Sequence, residues 1–116
     1  MKRSKVEKIF LALIAGSHLW LASPTEAQKV YHIGSLNSAE QFVNAFEGFK
    51  SRMAELGYIE GKNVRYDSYN AKGSSEALKG FAQKMVQDKV DLIVTSATSG
   101  TIAAAEATRG TNIPVV

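Results

Sequence analysis

The chain alternates short apolar runs with segments that carry apolar residues on one helical face, and this order constrains its fold more than any other feature. Apolar runs of roughly four to eight residues that are rich in β-branched side chains are typical of buried strands. Four such runs occur, at 29–36, 64–69, 91–95 and 112–116. The repeated order of strand and helix predicts an α/β fold, with a parallel sheet of βαβ units and helices on both faces of it.

Three helices are predicted between these runs. Apolar residues of the first recur every three or four positions, which places them on one helical face. That face consists of Phe42, Phe46, Phe49, Met53 and Leu56. Ser38 is expected to cap this helix with Gln41 as its capping-box partner, and Gly57 to end it. The second helical face consists of Leu78, Phe81, Ala82 and Met85, and an alanine-rich segment at 102–108 predicts the third helix.

Residues 1–27 have the pattern of a secretory signal peptide. Four basic residues in the first eight positions precede an apolar stretch at 9–22, and small residues stand at 25 and 27, where signal peptidase reads its cleavage site. The apolar stretch is shorter than the roughly 20 residues of a bilayer-spanning helix. We therefore expect residues 1–27 to be a signal peptide and the mature chain to be periplasmic. An uncleaved anchor or amphipathic helix is the alternative.

The charge of the mature segment bears on its partners. The whole chain has a net charge of +3, whereas residues 28–116 contain ten Lys and Arg against nine Asp and Glu. Such a nearly neutral domain lacks the basic surface that nucleic-acid binding requires, so no nucleic-acid partner is expected. The chain has no cysteine, which excludes disulfides and thiolate chemistry.

Two short polar segments, 35–38 and 95–100, follow the first and third predicted strands. In an open parallel sheet, ligands bind beyond the carboxyl ends of the strands, where the strand order reverses. With the common order 2-1-3-4, that point lies between these two segments. Each leads into a helix N-terminus, which attracts carboxylates and other anions. Candidate ligand contacts are the amide of Asn37 and the hydroxyls of Ser96, Thr98 and Ser99. Ser38 and either Thr98 or Ser99 are equally suited to cap helices, which leaves both roles open.

The familiar enzyme motifs do not fit these segments. The first lacks the G-x-G-x-x-G pattern of dinucleotide-binding proteins, and the second lacks the Gly-Lys pair of a phosphate-binding loop. His32 lies within the first predicted strand, where we expect it to pack or hydrogen-bond. Asp67 and Asp91 are not grouped at the strand ends as a phosphoryl-accepting site requires. We therefore expect no catalytic residue, no metal site and no cofactor.

The run from Glu55 to Val64, Glu-Leu-Gly-Tyr-Ile-Glu-Gly-Lys-Asn-Val, resembles a segment of ABC transporter substrate-binding proteins. The subgroup is the one that includes tryptophan- and tyrosine-binding members and is often labelled as sugar-type. Shorter matches follow the family's order at 33–34, 91–94 and 113–116, so that the resemblance covers residues 29–116. Ser99 stands where many relatives have a proline.

The resemblance implies a type I periplasmic-binding fold, in which two α/β lobes close around a ligand. Residues 28–116 would then be part of the N-terminal lobe. The implied ligand contacts in this lobe are Asn37, Ser38, Ser96, Ala97 and Thr98. The implied partners are a small-molecule solute, such as an amino acid or a sugar, and the ABC permease subunits in the membrane.

We therefore interpret the chain as the solute-binding component of an ABC importer, a non-enzymatic protein that captures a small polar organic solute outside the cytoplasm. A sensor or enzyme domain whose functional residues lie beyond Val116 is the alternative. Because sheets of this kind typically have about five or six strands, and the sequence ends within the fourth predicted strand, we expect an N-terminal fragment of a two-lobe protein.

The signal-peptide interpretation predicts the mass of the exported protein. Cleavage after Ala27 should leave Gln28, or its cyclised form, at the N-terminus of the secreted pool. Mass spectrometry of the exported protein measures this directly. Exported protein that retains Met1 would contradict the interpretation.

Overall fold

The computed structural model describes residues 28–116, so the predicted signal peptide at 1–27 lies outside the described residues. Strands and helices alternate in this part of the chain: β1 (Tyr31–Asn37), α1 (Val43–Glu55), β2 (Val64–Asn70), α2 (Ser75–Gln87), β3 (Leu92–Ser96) and α3 (Ala97–Ala107). A short 3-10 turn, Glu40–Phe42, precedes α1. The alternation confirms the predicted α/β class. In this described range, no helix has both the length and the apolarity that crossing a membrane requires.

The three strands form a parallel sheet in the order β2-β1-β3, as predicted for the first three strands. At the carboxyl end of the central strand, Asn37 is paired with Asn70 of β2 on one side and with Ser96 of β3 on the other. The predicted fourth strand is a single parallel bridge between Val115 and Ile93, on the outer side of β3. The strand order therefore reverses between β1 and β3, where the sequence predicted a ligand to bind.

Helices cover both faces of the sheet. Tyr66 and Tyr69 of β2 are three residues apart and so point to opposite faces. The ring of Tyr66 lies 5.7 Å from the ring of Phe46 on α1, whereas Tyr69 stacks at 4.9 Å on Phe81 of α2. Helices α2 and α3 share their face with the main hydrophobic core, which consists of Leu36, Ala71, Leu78, Ala82, Met85, Val90, Ile93, Ala103 and Ala104.

Gly34 lets α2 pack closely on the central strand. A Cβ atom at this position would lie 2.8 Å from the Sδ atom of Met85 and 3.1 Å from its Cγ. Real Cβ atoms do not approach sulfur so closely. The absence of a side chain at Gly34 therefore accommodates Met85, which is 1% exposed.

The turn after α1 explains several residues of the motif at 55–64. Helix α1 ends at Glu55, and Gly57 takes a φ of 94°, as predicted for a glycine that ends a helix. The side chain of Asn63 then closes the turn, because its Oδ1 accepts from the Ile59 N–H at 2.7 Å and its Nδ2 donates to the Gly57 carbonyl at 2.9 Å. Leu56 lies beyond the helix and is 57% exposed, so its assignment to the apolar face of the helix was wrong.

The predicted capping box at the start of α1 is also wrong. No side chain caps the 3-10 turn or the helix, and the first position before the turn is Ala39. The hydroxyl of Ser38 bonds instead to the carbonyl of Ser96, the last residue of β3, and to the hydroxyl of Ser99 in α3. A partner that is distant in sequence has therefore replaced the local capping interaction.

An ionic contact joins the beginnings of β1 and β3. Oδ2 of Asp91 accepts from the His32 backbone N–H at 2.8 Å, and Oδ1 lies 3.1 Å from the Lys29 ammonium. The hydrogen bond from His32, assisted by Lys29, holds the pKa of the Asp91 carboxyl below its ordinary value of 3.8, against the opposing effect of partial burial. The ionised carboxylate therefore stabilises the folded state.

Replacing Gly34 with alanine should destabilise the protein by about 1–3 kcal/mol, because the added methyl group forces Met85 out of its position. Gly48 in α1 is the matched control, since a Cβ there meets no atom within 4 Å. Gly48→Ala should stabilise the protein by about 0.5–1 kcal/mol through helix propensity. Urea unfolding measures both changes, and a stabilising Gly34→Ala would contradict the packing described here.

Asp91→Asn should lower the free energy of unfolding, because it removes the negative charge that pairs with Lys29 and accepts from the His32 N–H. The loss should be only about 1 kcal/mol at pH 7, since solvent screens the exposed part of the pair. Since the folded-state pKa of Asp91 is depressed, its contribution is present above about pH 4 and is lost as the pH falls through the lower folded-state value. The difference between wild type and variant should therefore shrink toward pH 3 in urea unfolding. A difference that stays constant from pH 7 to pH 3 would contradict this role.

Candidate functional site

The carboxyl ends of β1 and β3 bring the predicted site residues together. Asn37 is the last residue of β1 and Ser96 the last of β3, and the two are paired across the sheet. Ser38 directly follows β1. Ala97 and Thr98 directly follow β3 and begin α3. All five residues predicted to contact a ligand thus lie at one edge of the sheet.

Asn37 makes three side-chain hydrogen bonds and is 1% exposed. Its Nδ2 donates to the hydroxyls of Ser35 and Ser68, each at 3.1 Å, and its Oδ1 accepts from the hydroxyl of Ser96 at 3.1 Å. This polar row crosses all three strands of the sheet. Both amide hydrogens of Asn37 are used within the protein.

Ser38 links β1 to the beginning of α3. Its hydroxyl is 3.1 Å from the carbonyl oxygen of Ser96 and 2.9 Å from the hydroxyl of Ser99. The carbonyl can only accept, so Ser38 donates to Ser96 and accepts from Ser99. Gly100 of α3 leaves room for this approach, since a Cβ there would make tight contacts of 3.2 Å with the Ser38 hydroxyl and 3.3 Å with the Leu36 carbonyl.

Helix α3 begins earlier than predicted, at Ala97 instead of after Gly100. Ala97 has a φ of 67°, a left-handed conformation that a residue with a side chain seldom adopts. Ser96 is the N-cap residue, yet no side chain caps the helix. Thr98 and Ser99 lie in the first turn, so the alternative assignment of either one as the cap is wrong. The N–H groups in the first turn of α3 therefore have no side-chain cap, and this turn lies at the polar carboxyl edge of the sheet.

The loop after β2 also reaches this edge, which the sequence interpretation missed. The N–H groups of Ala71 and Gly73 donate to the backbone carbonyls of Asn37 and Ser38 at 2.9 and 2.8 Å. The signal was present in the sequence, because the polar turn at 70–74 follows a strand and the carboxyl ends of parallel strands meet at one edge.

His32 hydrogen-bonds within the sheet, as the sequence predicted. Its Nε2 lies 2.6 Å from Oδ2 of Asp67, and its Nδ1 lies 2.9 Å from a guanidinium nitrogen of Arg65. Arginine can only donate, so Nδ1 accepts and the hydrogen on Nε2 is donated to Asp67. These residues join neighbouring strands below the carboxyl edge. Within residues 28–116, no three His, Asp or Glu side chains are grouped so as to hold a metal ion.

The model of the family of ABC transporter substrate-binding proteins matches residues 33–116. The chain belongs to this family. A tyrosine-binding protein from Clostridioides difficile is 32% identical over 94 residues, which are 79% of this chain and 27% of that relative. The family and this relative are substrate-binding proteins, not enzymes, which confirms the non-enzymatic class predicted from the sequence.

Solved structures show the same fold. A ligand-free, open substrate-binding protein with adhesive properties from Clostridium difficile superimposes with a TM-score of 0.68 and 30% identity, over 74% of this chain and 30% of that one. An ABC domain in complex with L-Trp from Streptococcus pneumoniae gives 0.67 and 24% identity, over 75% and 30% of the two chains. The chain thus spans less than a third of the length of the proteins it resembles.

Proposed function

We propose that the chain is part of the solute-binding component of an ABC importer and that its ligand is an amino acid. The observation that carries the proposal is the uncapped beginning of α3 at the switch point of the sheet, in a chain of this family. Three backbone N–H groups in the first turn, with the positive end of the helix dipole, are suited to a carboxylate. The tyrosine-binding relative favours an amino acid over a sugar.

In this proposal, the carboxyl edge of the sheet forms one wall of a ligand cleft. Ser96, Ala97 and Thr98 lie closest to the solute, and Asn37 and Ser38 form the floor behind them. Ala97 and Thr98 are exposed, so this wall is open to solvent. A second lobe supplies the opposite wall, and the solute stabilises the closed arrangement of the two lobes.

The other predictions on the whole protein follow from this one. Residues 1–27 act as a signal peptide, and residues 28–116 form part of the N-terminal lobe in the periplasm. The closed, solute-loaded form is the one that the permease subunits recognise. An importer needs this coupling because the permease must distinguish loaded from free binding protein, and a conformation that the solute stabilises provides the distinction.

Calorimetric titration of the full-length protein with L-tyrosine and L-tryptophan tests the ligand class. Thr98→Ala should weaken binding by about 3- to 10-fold, as expected for the loss of one hydrogen bond. Thr111→Ala is the matched control, because Thr111 lies in the segment that follows α3, and its hydroxyl donates to the Thr108 carbonyl. It should leave the affinity unchanged. Absence of binding to any amino acid in the wild-type protein would contradict the proposal.

A further inference from the structure

A groove runs along the outer surface of the molecule between α2 and α3. Its first part has a volume of about 330 Å³ and begins between Ser75 and Ser99. Its second part has a volume of about 160 Å³ and ends between Gln83 and Ala107. The two helices therefore lie side by side and run in the same direction, as expected when both follow strands of one parallel sheet.

The floor of the groove is apolar. Leu78 of α2 and Ala103 of α3 line it and are buried, whereas Ile102 on the α3 wall is 53% exposed. Exposed apolar surface that is continuous with a groove is typical of protein–protein contacts. The groove thus offers a packing surface to a partner.

The outer face of α3 lacks the charges that the other helices carry. A surface helix ordinarily has charged and polar residues opposite its buried side. Helix α1 contains four charged residues and α2 contains three, whereas α3 contains only Glu106. Ala103 and Ala104 are the buried side of α3, and the opposite side carries Ile102 and Ala105. This composition is typical of a helix that is covered on its outer face as well.

One charge of each sign lies on the walls of the groove. Lys79 on the α2 wall and Glu106 on the α3 wall line both parts of it, and both side chains are exposed. Within residues 28–116, neither of them forms an ion pair, whereas Lys84 of α2 pairs with Asp88 one turn further on. The walls therefore present two opposite charges that the described fold does not use.

A second copy of this chain is complementary to such a groove. When two grooves face each other about a two-fold axis that runs along them, α2 of one copy lies over α3 of the other. Each Lys79 then faces the Glu106 of the other copy, so the same contact is made twice, and Ile102 is covered. A partner that carries charges of one sign would instead leave one wall facing a like charge.

We infer that the groove between α2 and α3 is the interface of a symmetric dimer, in which Lys79 of each copy pairs with Glu106 of the other. The inference goes beyond the proposed function and does not depend on it, because neither Lys79 nor Glu106 belongs to the carboxyl edge of the sheet. Its test needs no solute.

Sedimentation velocity of the full-length mature protein, from about 1 µM to 1 mM, tests the inference. The wild type should dimerise reversibly. Lys79→Glu and Glu106→Lys should each raise the Kd of the dimer by about tenfold or more, because each change turns both ion pairs into like-charge contacts. Lys62→Glu is the matched control, since Lys62 is exposed in the turn after α1. It makes the same change in net charge and should leave the Kd unaltered.

A mixture of the two single variants distinguishes pairing between copies from pairing across one groove. One variant has glutamate at both positions and the other has lysine at both, so their heterodimer contains two opposite-charge pairs. The mixture should therefore dimerise about as tightly as the wild type, although neither variant does so alone. Single variants that dimerise like the wild type, or a mixture as weak as its components, would overturn the inference. A wild type that stays monomeric throughout the range would overturn it as well, and would mean that a different occupant covers the groove.

Discussion

The central strand β1 is the constraint on which the rest of the structure depends. Its six residues from His32 to Asn37 are buried, with strands on both edges and helices on both faces. Buried backbone groups must be hydrogen-bonded, and parallel pairing on both sides satisfies them. Each side chain must then fit between two packed layers. Gly34 fits by leaving room for Met85, whereas Leu36 fits by filling the core between α2 and α3.

The same constraint determines the polar edge where β1 ends. Asn37 and Ser38 are buried there, and buried polar groups are stable only when they are hydrogen-bonded. The two residues meet this need by bonding to Ser96, the last residue of the neighbouring strand. The Ser96 hydroxyl donates to the buried amide of Asn37, and no side chain caps α3. In this way, the packing of the strand and the exposure of the helix N-terminus are parts of one arrangement.

The fold was predictable because its signals are local. Buried strands and helices with one apolar face differ in the period of their apolar residues, so the order of the elements follows from the chain itself. Gly57 ended α1 as predicted, because a left-handed residue after a helix favours glycine. Leu56 was misassigned because the helical period continues in the sequence beyond Glu55, where the turn tied by Asn63 has already redirected the chain.

The candidate site was predictable in position but not in its contacts. The switch point follows from strand order, and the short polar segments after β1 and β3 marked it. Their hydroxyls were equally compatible with capping and with ligand binding, because serine is suited to both. The loop at 70–74 was overlooked because the strand-order rule drew attention to the two strands at the reversal, although Ala71 and Gly73 hydrogen-bond to both residues at the end of β1.

By itself, the sequence determined the order of strands and helices, the parallel sheet and the family, since these depend on the periods and motifs of contiguous residues. Only the tertiary structure decided what the polar residues at the carboxyl edge do. Ser38 and its partners Ser96 and Ser99 are 58 and 61 residues apart, and Asn37 is 59 residues from Ser96. The folded sheet brings these hydroxyls to distant partners and none of them caps α3, because a buried polar side chain without a partner costs more than an exposed helix end.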